Sequence, residues 1–211
     1  MHVNLDEMAQ LEQRYRAHFI NSLGGFKSVV MLGTQSLQGH TNLAIFSSFF
    51  HLGANPALCG LIVRPDNGNR HTLNNIMATD LYTINHVHEA IYQQAHQTSA
   101  SYAAAQSEFA ATGLGEEWLD GFFAPFVRES RIKMAVQLAQ RIDLQVNDTI
   151  LLIGKILDVY LPDAIVGSDG FVDLEAAGTL TLSGLDSYHH TQKIARLSYA
   201  KPDAPLAVIG S

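Results

Sequence analysis

The chain has 211 residues, 47% apolar and 16% charged, enough apolar material for a domain with a real core and too much for a disordered polymer. Lys and Arg number 13 against 20 Asp and Glu, so the formal net charge is −7. An acidic chain has no global attraction for nucleic acid, although one local phosphate site remains compatible with it. No apolar run approaches the ~20 residues of a membrane span. The opening Met-His-Val-Asn-Leu-Asp-Glu has neither the basic nor the apolar region of a signal peptide. The single cysteine, Cys59, sits in the apolar run Leu58-Cys59-Gly60-Leu61-Ile62-Val63, so a buried inert thiol is expected, and a reducing, cytoplasmic setting fits.

Met8, Leu11, Tyr15, His18 and Phe19 recur at three- and four-residue steps. They predict one helix over 5–23 within an N-terminal element of residues 1–25, ended by Gly24-Gly25. The pattern then turns to β: a strand over 26–35, a hairpin turn over 36–40, and a returning strand over 41–50 that runs into a loop. Residues 58–64 have the length of a buried strand, and Pro65-Asp66-Asn67-Gly68-Asn69 is a turn cluster. A short helix over 72–78 presents Leu73, Ile76 and Met77 on one face, and a strand follows over 81–87. The Ala- and Gln-rich stretch 89–111 predicts a helical insertion with a break near Thr98-Ser99. Strands return over 122–128, 133–141 and 149–161, then an acidic loop over 162–177, a short strand over 178–183 and a surface tail over 201–211.

About seven short strands follow one another through turns, not in regular alternation with helices. This favours a mainly β domain over 26–200, an antiparallel sheet or small barrel with added helices. Neither Gly-x-Gly-x-x-Gly nor Gly-x-x-x-x-Gly-Lys occurs, in line with that choice.

Polar residues suited to chemistry concentrate between Gly33 and Asn75: Thr34, Gln35, Thr41, Asn42, Ser47, Ser48, Arg64, Arg70, Thr72 and Asn75. Guanidinium groups, hydroxyls and a helix start at Thr72 are the mixture a phosphate asks for. The same residues are also ordinary turn and cap formers, with Thr72 or Asn69 capping a helix and Ser47-Ser48 in a loop. His86-x-His88 and His189-His190 lack the further ligands of a structural zinc site, so no metal is expected. Trp118, Phe122, Phe123 and Phe126 read as core or dimer packing.

Thr41-Asn42-Leu43-Ala44-Ile45-Phe46-Ser47-Ser48 resembles the Gly-x-x-Asn-x-(Ala/Met)-x-x-Ser-Ser segment of the flavin reductase-like, FMN-binding split-barrel family. Asn55-Pro56, Arg70-His71-Thr72 with Asn75-Ile76, Asn85-His86-Val87, Pro125 through Ser130, the strand from Asn147 to Ile156, and Tyr188 with Arg196 follow in the family's order. Two departures, Asn147-Asp148 for Gly-Asp and Leu185-Asp186-Ser187 for Leu-Gly-Gly, fall on the substrate side.

The resemblance implies a Greek-key-like, antiparallel split β-barrel that binds FMN. It also implies hydride transfer from NADH or NADPH to flavin N5, with the cofactor carrying the chemistry and no catalytic side chain required. Arg70 and Thr72, with Ser47 and Ser48, would hold the FMN phosphate. Groups from Thr34 and Gln35 through Thr41, Asn42 and Ala44 would contact the ring and ribityl chain, with Asn75 nearby. Arg64 either joins that set or pairs with Asp66. A homodimer with flavin near the interface is also implied. A non-catalytic FMN-binding or electron-transfer protein fits the same residues. A pyridoxamine-phosphate-oxidase-like enzyme would need a second phosphate site, for which the sequence shows no additional Arg/Lys cluster.

Overall fold

The computed structural model describes residues 1–65, 70–103 and 105–209. Two helices lead: α1 (Leu5–Gln10), closed by a capping box between Asn4 and Glu7, and α2 (Gln13–Leu23). The single helix expected over 5–23 is thus broken. Leu11 is extended, and Glu12 restarts the helix by accepting the Tyr15 N–H at 2.9 Å. Neither helix has a buried residue, so the apolar periodicity there has no core to face.

The β elements are β1 (Lys27–Ser28), β2 (Val30–Gln35), β3 (Thr41–Phe46), β4 (Phe50–Ala54) and β5 (Ala57–Val63). Helix α3 (His71–Thr79) leads to β6 (Leu81–His86), then α4 (Tyr92–Gln97) and α5 (Glu108–Thr112). Two short strands, β7 (Glu116–Glu117) and β8 (Phe126–Val127), precede the long pair β9 (Lys133–Leu144) and β10 (Thr149–Tyr160). A 3-10 turn (Asp163–Ile165), β11 (Thr181–Ser183) and β12 (Ser187–His189) complete the order.

Seven strands form one antiparallel sheet in the order β3-β2-β6-β9-β10-β5-β4. Its two edges are neighbours in the chain, joined only by Ser47, Ser48 and Phe49. A sheet with edges so tied must curl, and because β3 and β4 do not pair, the barrel stays split along that seam. The Ser48 hydroxyl stitches the link to β5, donating to Ile62 O at 2.8 Å and accepting from Ile62 N at 3.1 Å. This is the mainly β split barrel with added helices that the sequence suggested.

Strand β2 is buried on both faces. Val30 and Leu32 join Leu61, Tyr82, Val136 and Leu152 in one core, while Met31 joins Val87, Phe109 and Leu180 in a second. Double burial explains why Val29 to Leu32 is a continuous apolar run instead of an alternating one.

Other expectations shift for local reasons. Strand β4 was hidden because a register shift between His51 and Gly53 destroys its alternation. On α3, Leu73 and Ile76 are buried but Met77 is 41% exposed, one residue past the inward stripe. Among the described residues the insertion is helical in α4 and α5 alone, and the strand expected over 122–128 is paired at Phe126–Val127. Among the described residues no helix is long and apolar enough to cross a membrane.

Two consequences can be measured. At Gly33 a Cβ would overlap the Pro125 carbonyl and the Thr83 hydroxyl, which itself donates to Pro125 O at 2.7 Å. Gly33→Ala should therefore cost at least about 1–3 kcal/mol in urea unfolding; an unchanged midpoint would contradict the packing. Burial also holds the His86 imidazole down to about 4, against an ordinary 6.5. The unfolded chain takes up that proton first, so stability falls as pH drops from about 6.5 toward 4. Urea midpoints for wild type and His86→Gln should converge over that window.

Candidate functional site

Thr34 and Asn42 are cross-strand partners on β2 and β3. Thr72 and Asn75 lie one turn apart on α3, so both reach the same surface. They meet the strand pair directly: Asn42 Nδ2 donates to Thr72 Oγ1 at 2.8 Å, and Asn75 Nδ2 donates to Thr34 Oγ1 at 3.1 Å. Leu73 and Ile76 fix the same helix in the barrel core. Because the Thr72 oxygen accepts from Asn42, its own proton can be directed elsewhere. The N-cap residue of α3, Arg70, makes no side-chain capping bond. Among the described residues no side chain caps the N–H groups of the first turn, where the positive end of the helix dipole lies.

These groups border a cavity of about 670 Å³. Asn42, Ala44, Ile45 and Phe46 of β3, the link Ser47 and Ser48, the end of β5 with Arg64, and Arg70, His71 and Thr72 form the barrel side. The insertion contributes His96, Thr98, Ser99 and Glu108, and the β11–β12 turn contributes Leu185 and Asp186.

Glu108 explains the outer side of the β3 edge. Its Oε2 accepts the buried Leu43 N–H at 2.9 Å, so Leu43 turns its peptide groups away from β2. The β2–β3 register is unshifted, and in an antiparallel ladder the same orientation recurs two residues on, at Ile45. Ile45 lines the cavity. One edge position is thus capped by a carboxylate, and the next turns its peptide N–H and C=O away from β2, on a residue that borders the cavity. At the other end, Thr41 Oγ1 donates to Glu116 Oε1 at 2.6 Å and lies 2.8 Å from Ser107 Oγ, fastening the insertion to β3.

Of the residues singled out in the sequence, Asn42, Ala44, Ser47, Ser48, Arg64, Arg70 and Thr72 come together at this cavity. Thr34, Gln35, Thr41 and Asn75 do not line it. Thr34 and Asn75 lock α3 in place, Thr41 holds the insertion, and Gln35 Nε2 donates to Gly39 O at 3.2 Å within the hairpin. Ser48 lines the cavity with a hydroxyl already engaged twice by Ile62. Arg64 Nη2 donates to Asn21 Oδ1 at 3.3 Å, while Asp66 and Asn69 lie outside the described residues.

His71, His96, Glu108, Leu185 and Asp186 were not singled out for this site. His96 Nδ1 lies 3.0 Å from the Tyr188 hydroxyl. Burial, with the Asp186 charge adding to it, pushes the Tyr188 phenol up to about 12, so it remains a neutral hydroxyl at physiological pH. The paired histidines of the sequence separate: His86 meets Thr179, His88 meets Glu129 O, His189 meets Ser183 and His190 meets Glu89. Among the described residues no group of three or more His, Cys, Asp and Glu is arranged to hold a metal ion. Cys59 is buried, and desolvation raises its thiol pKa, as an inert thiol requires.

A family model described as the flavin reductase like domain matches residues 23–175. The chain belongs to the flavin reductase-like family. A split-barrel protein of Shewanella frigidimarina NCIMB 400, named for a flavin reductase, is 56% identical with a TM-score of 0.92, covering 95% of this chain and 100% of that one. Nitrilotriacetate monooxygenase component B of Bacillus cereus shares the fold at 18% identity and a TM-score of 0.82, over 93% of this chain and 98% of its own. An uncharacterized protein of Aquifex aeolicus (strain VF5) is 25% identical over 146 residues, 68% of this chain and 74% of its own length.

The edge cap carries its own prediction. Glu108→Ala leaves the buried Leu43 N–H without an acceptor and should cost about 1–3 kcal/mol in urea unfolding, whereas Glu108→Gln, which keeps an oxygen, should cost less. Equal losses for the two variants would show that the carboxylate acts by charge and not as an acceptor.

Proposed function

We propose that this flavin reductase-like protein binds FMN in the 670 Å³ cavity and oxidises NADH or NADPH. The observation that carries this reading is the joining of two complementary features on one wall. The first turn of α3, with Arg70 and a Thr72 hydroxyl whose oxygen accepts from Asn42 and whose proton is free to serve a ligand, suits a phosphate. The Ile45 peptide at the β3 edge supplies a donor and an acceptor for the polar rim of a planar ring. The cavity volume also lies within the roughly 300–1,000 Å³ of small-molecule sites.

When bound, FMN supplies a ring that accepts hydride at N5 and passes electrons on. The chain's residues bind, orient and shield. Arg70, Thr72, Ser47 and the N–H groups of α3 hold the phosphate, and Asn42 keeps the Thr72 hydroxyl turned as a donor. Phe46 and Leu185 exclude water from the walls. Hydride transfer between two rings asks for no side-chain acid or base, so positioning is the protein's main contribution. A homodimer belongs to the same proposal. Leu157, Val159, Trp118 and Phe123 are exposed, and the Tyr160–Asp120 bond of 2.8 Å ties the loop carrying the aromatics to β10.

Anaerobic mixing of FMN-loaded protein with NADH or NADPH tests the activity. Rapid loss of the flavin absorbance with at least one is expected; none with either would leave a flavin carrier in place of a reductase. Arg70→Ala should weaken FMN by about 1.5–3 kcal/mol, roughly ten- to a hundredfold. Thr72→Val should act in the same direction. Unchanged FMN affinity in both variants would remove the proposed phosphate site.

A further inference from the structure

Folding assembles a pair of cations that the proposed phosphate site does not use. Asn21, near the end of α2, is their common partner. Its amide donates to Ala17 O at 2.7 Å, which fixes the direction of Oδ1, and Oδ1 accepts from Arg64 Nη2 at 3.3 Å. The Asn21 backbone carbonyl accepts from Lys27 Nζ at 3.4 Å, and the same ammonium donates to Gly184 O at 2.6 Å. Two positive side chains therefore meet at one residue, held there by neutral oxygens. Among the described residues neither takes part in an ion pair. Asp186, on the turn after Gly184, lines the cavity but bridges to neither cation.

Like charges so placed repel, and Lys27 registers it. Desolvation first, and then the Arg64 charge, lower its pKa. An anion between the two would reverse that penalty. Arg64 lines the cavity that Arg70 and Thr72 also border, and among the described residues its guanidinium bonds to Asn21 Oδ1, which leaves donors of the planar fork to offer a ligand. FMN has one phosphate, which the Arg70–Thr72 end accommodates.

We propose that Arg64, which lines the cavity, together with Lys27 beside it at Asn21, forms a second anion subsite, one that takes the additional phosphoryl group of a dinucleotide diphosphate. The inference rests on the flavin reading and refines it: Arg64 leaves the FMN-phosphate set and becomes a selector for a longer ligand. The diphosphate belongs either to a flavin dinucleotide bound in place of FMN or to a nicotinamide dinucleotide bound beside it.

The test is to titrate FMN and FAD into the flavin-free protein, and ADP into the FMN-loaded protein, for wild type, Arg64→Gln, Lys27→Met and Arg70→Ala. Thermal melts confirm folding; Arg64 is exposed, so its variant should fold even if Lys27→Met does not. Arg64→Gln should weaken FAD or ADP by roughly tenfold while FMN changes by less than about twofold. Loss on FAD identifies a flavin dinucleotide, and loss on ADP a nicotinamide one. Arg70→Ala should instead weaken FMN and FAD together. The proposal is overturned if Arg64→Gln weakens FMN and FAD in parallel, which would return Arg64 to the first phosphate site, or if it changes neither FAD nor ADP. Should wild type bind neither flavin, the flavin reading fails by itself, and ADP titrated into the flavin-free protein still decides the subsite: an Arg64-dependent affinity upholds it, and none overturns it.

Discussion

Two amide–hydroxyl bonds determine how helix α3 sits on the β2–β3 hairpin, and the candidate site depends on that docking. Asn42 and Thr34 reach across from adjacent strands, Thr72 and Asn75 reach down from successive turns, and each donor finds one oxygen. Thr34 is fully buried and Asn42 is 7% exposed, so leaving either bond unmade would strand a polar group out of water. The register of the hairpin therefore fixes the register of the helix. It also fixes where the first turn of the helix sits and engages the Thr72 oxygen as an acceptor. Leu73 and Ile76 add apolar burial but carry no comparable directional information.

The split in the barrel supplies the other half of the site. A closed barrel would pair the outward peptide groups of β3 with a neighbouring strand, leaving nothing to read a ligand. Here the seam stays open between β3 and β4, the Ser48 stitch to Ile62 holds the link against β5, and Glu108 caps the edge at Leu43. Ile45, two residues on, faces the cavity. The insertion thus does two things: it protects part of an exposed edge and builds the far wall.

The sequence made the barrel side legible because that side is local. Asn42, Ser47, Arg70 and Thr72 fall within one stretch of strand, link and helix start, and their chemistry is visible as a cluster. Residues such as His96, Glu108 and Asp186 arrive from the insertion and from a turn late in the chain. Nothing in their own neighbourhoods marks them: Glu108 looks like an ordinary acidic residue in a helical first turn, and only the β3 edge reveals it as a cap. The pairing of Lys27 with Arg64 escaped for the same reason: the sequence marked Arg64 for the phosphate set but not Lys27, and only Asn21 brings the two together. The broken leading helix was unreadable in a different way. Apolar spacing carried over the Leu11–Glu12 break, and periodicity by itself does not reveal whether there is a core to receive it.

The most direct measurement is an absorption spectrum of the purified protein after incubation with FMN and removal of free flavin by gel filtration. Retained bands in the blue and near ultraviolet, lost in an Asn42→Ala/Thr72→Val double variant that remains folded, are expected. Equal retention by that variant would show that flavin binds elsewhere. A colourless wild-type protein would contradict a site built to hold FMN.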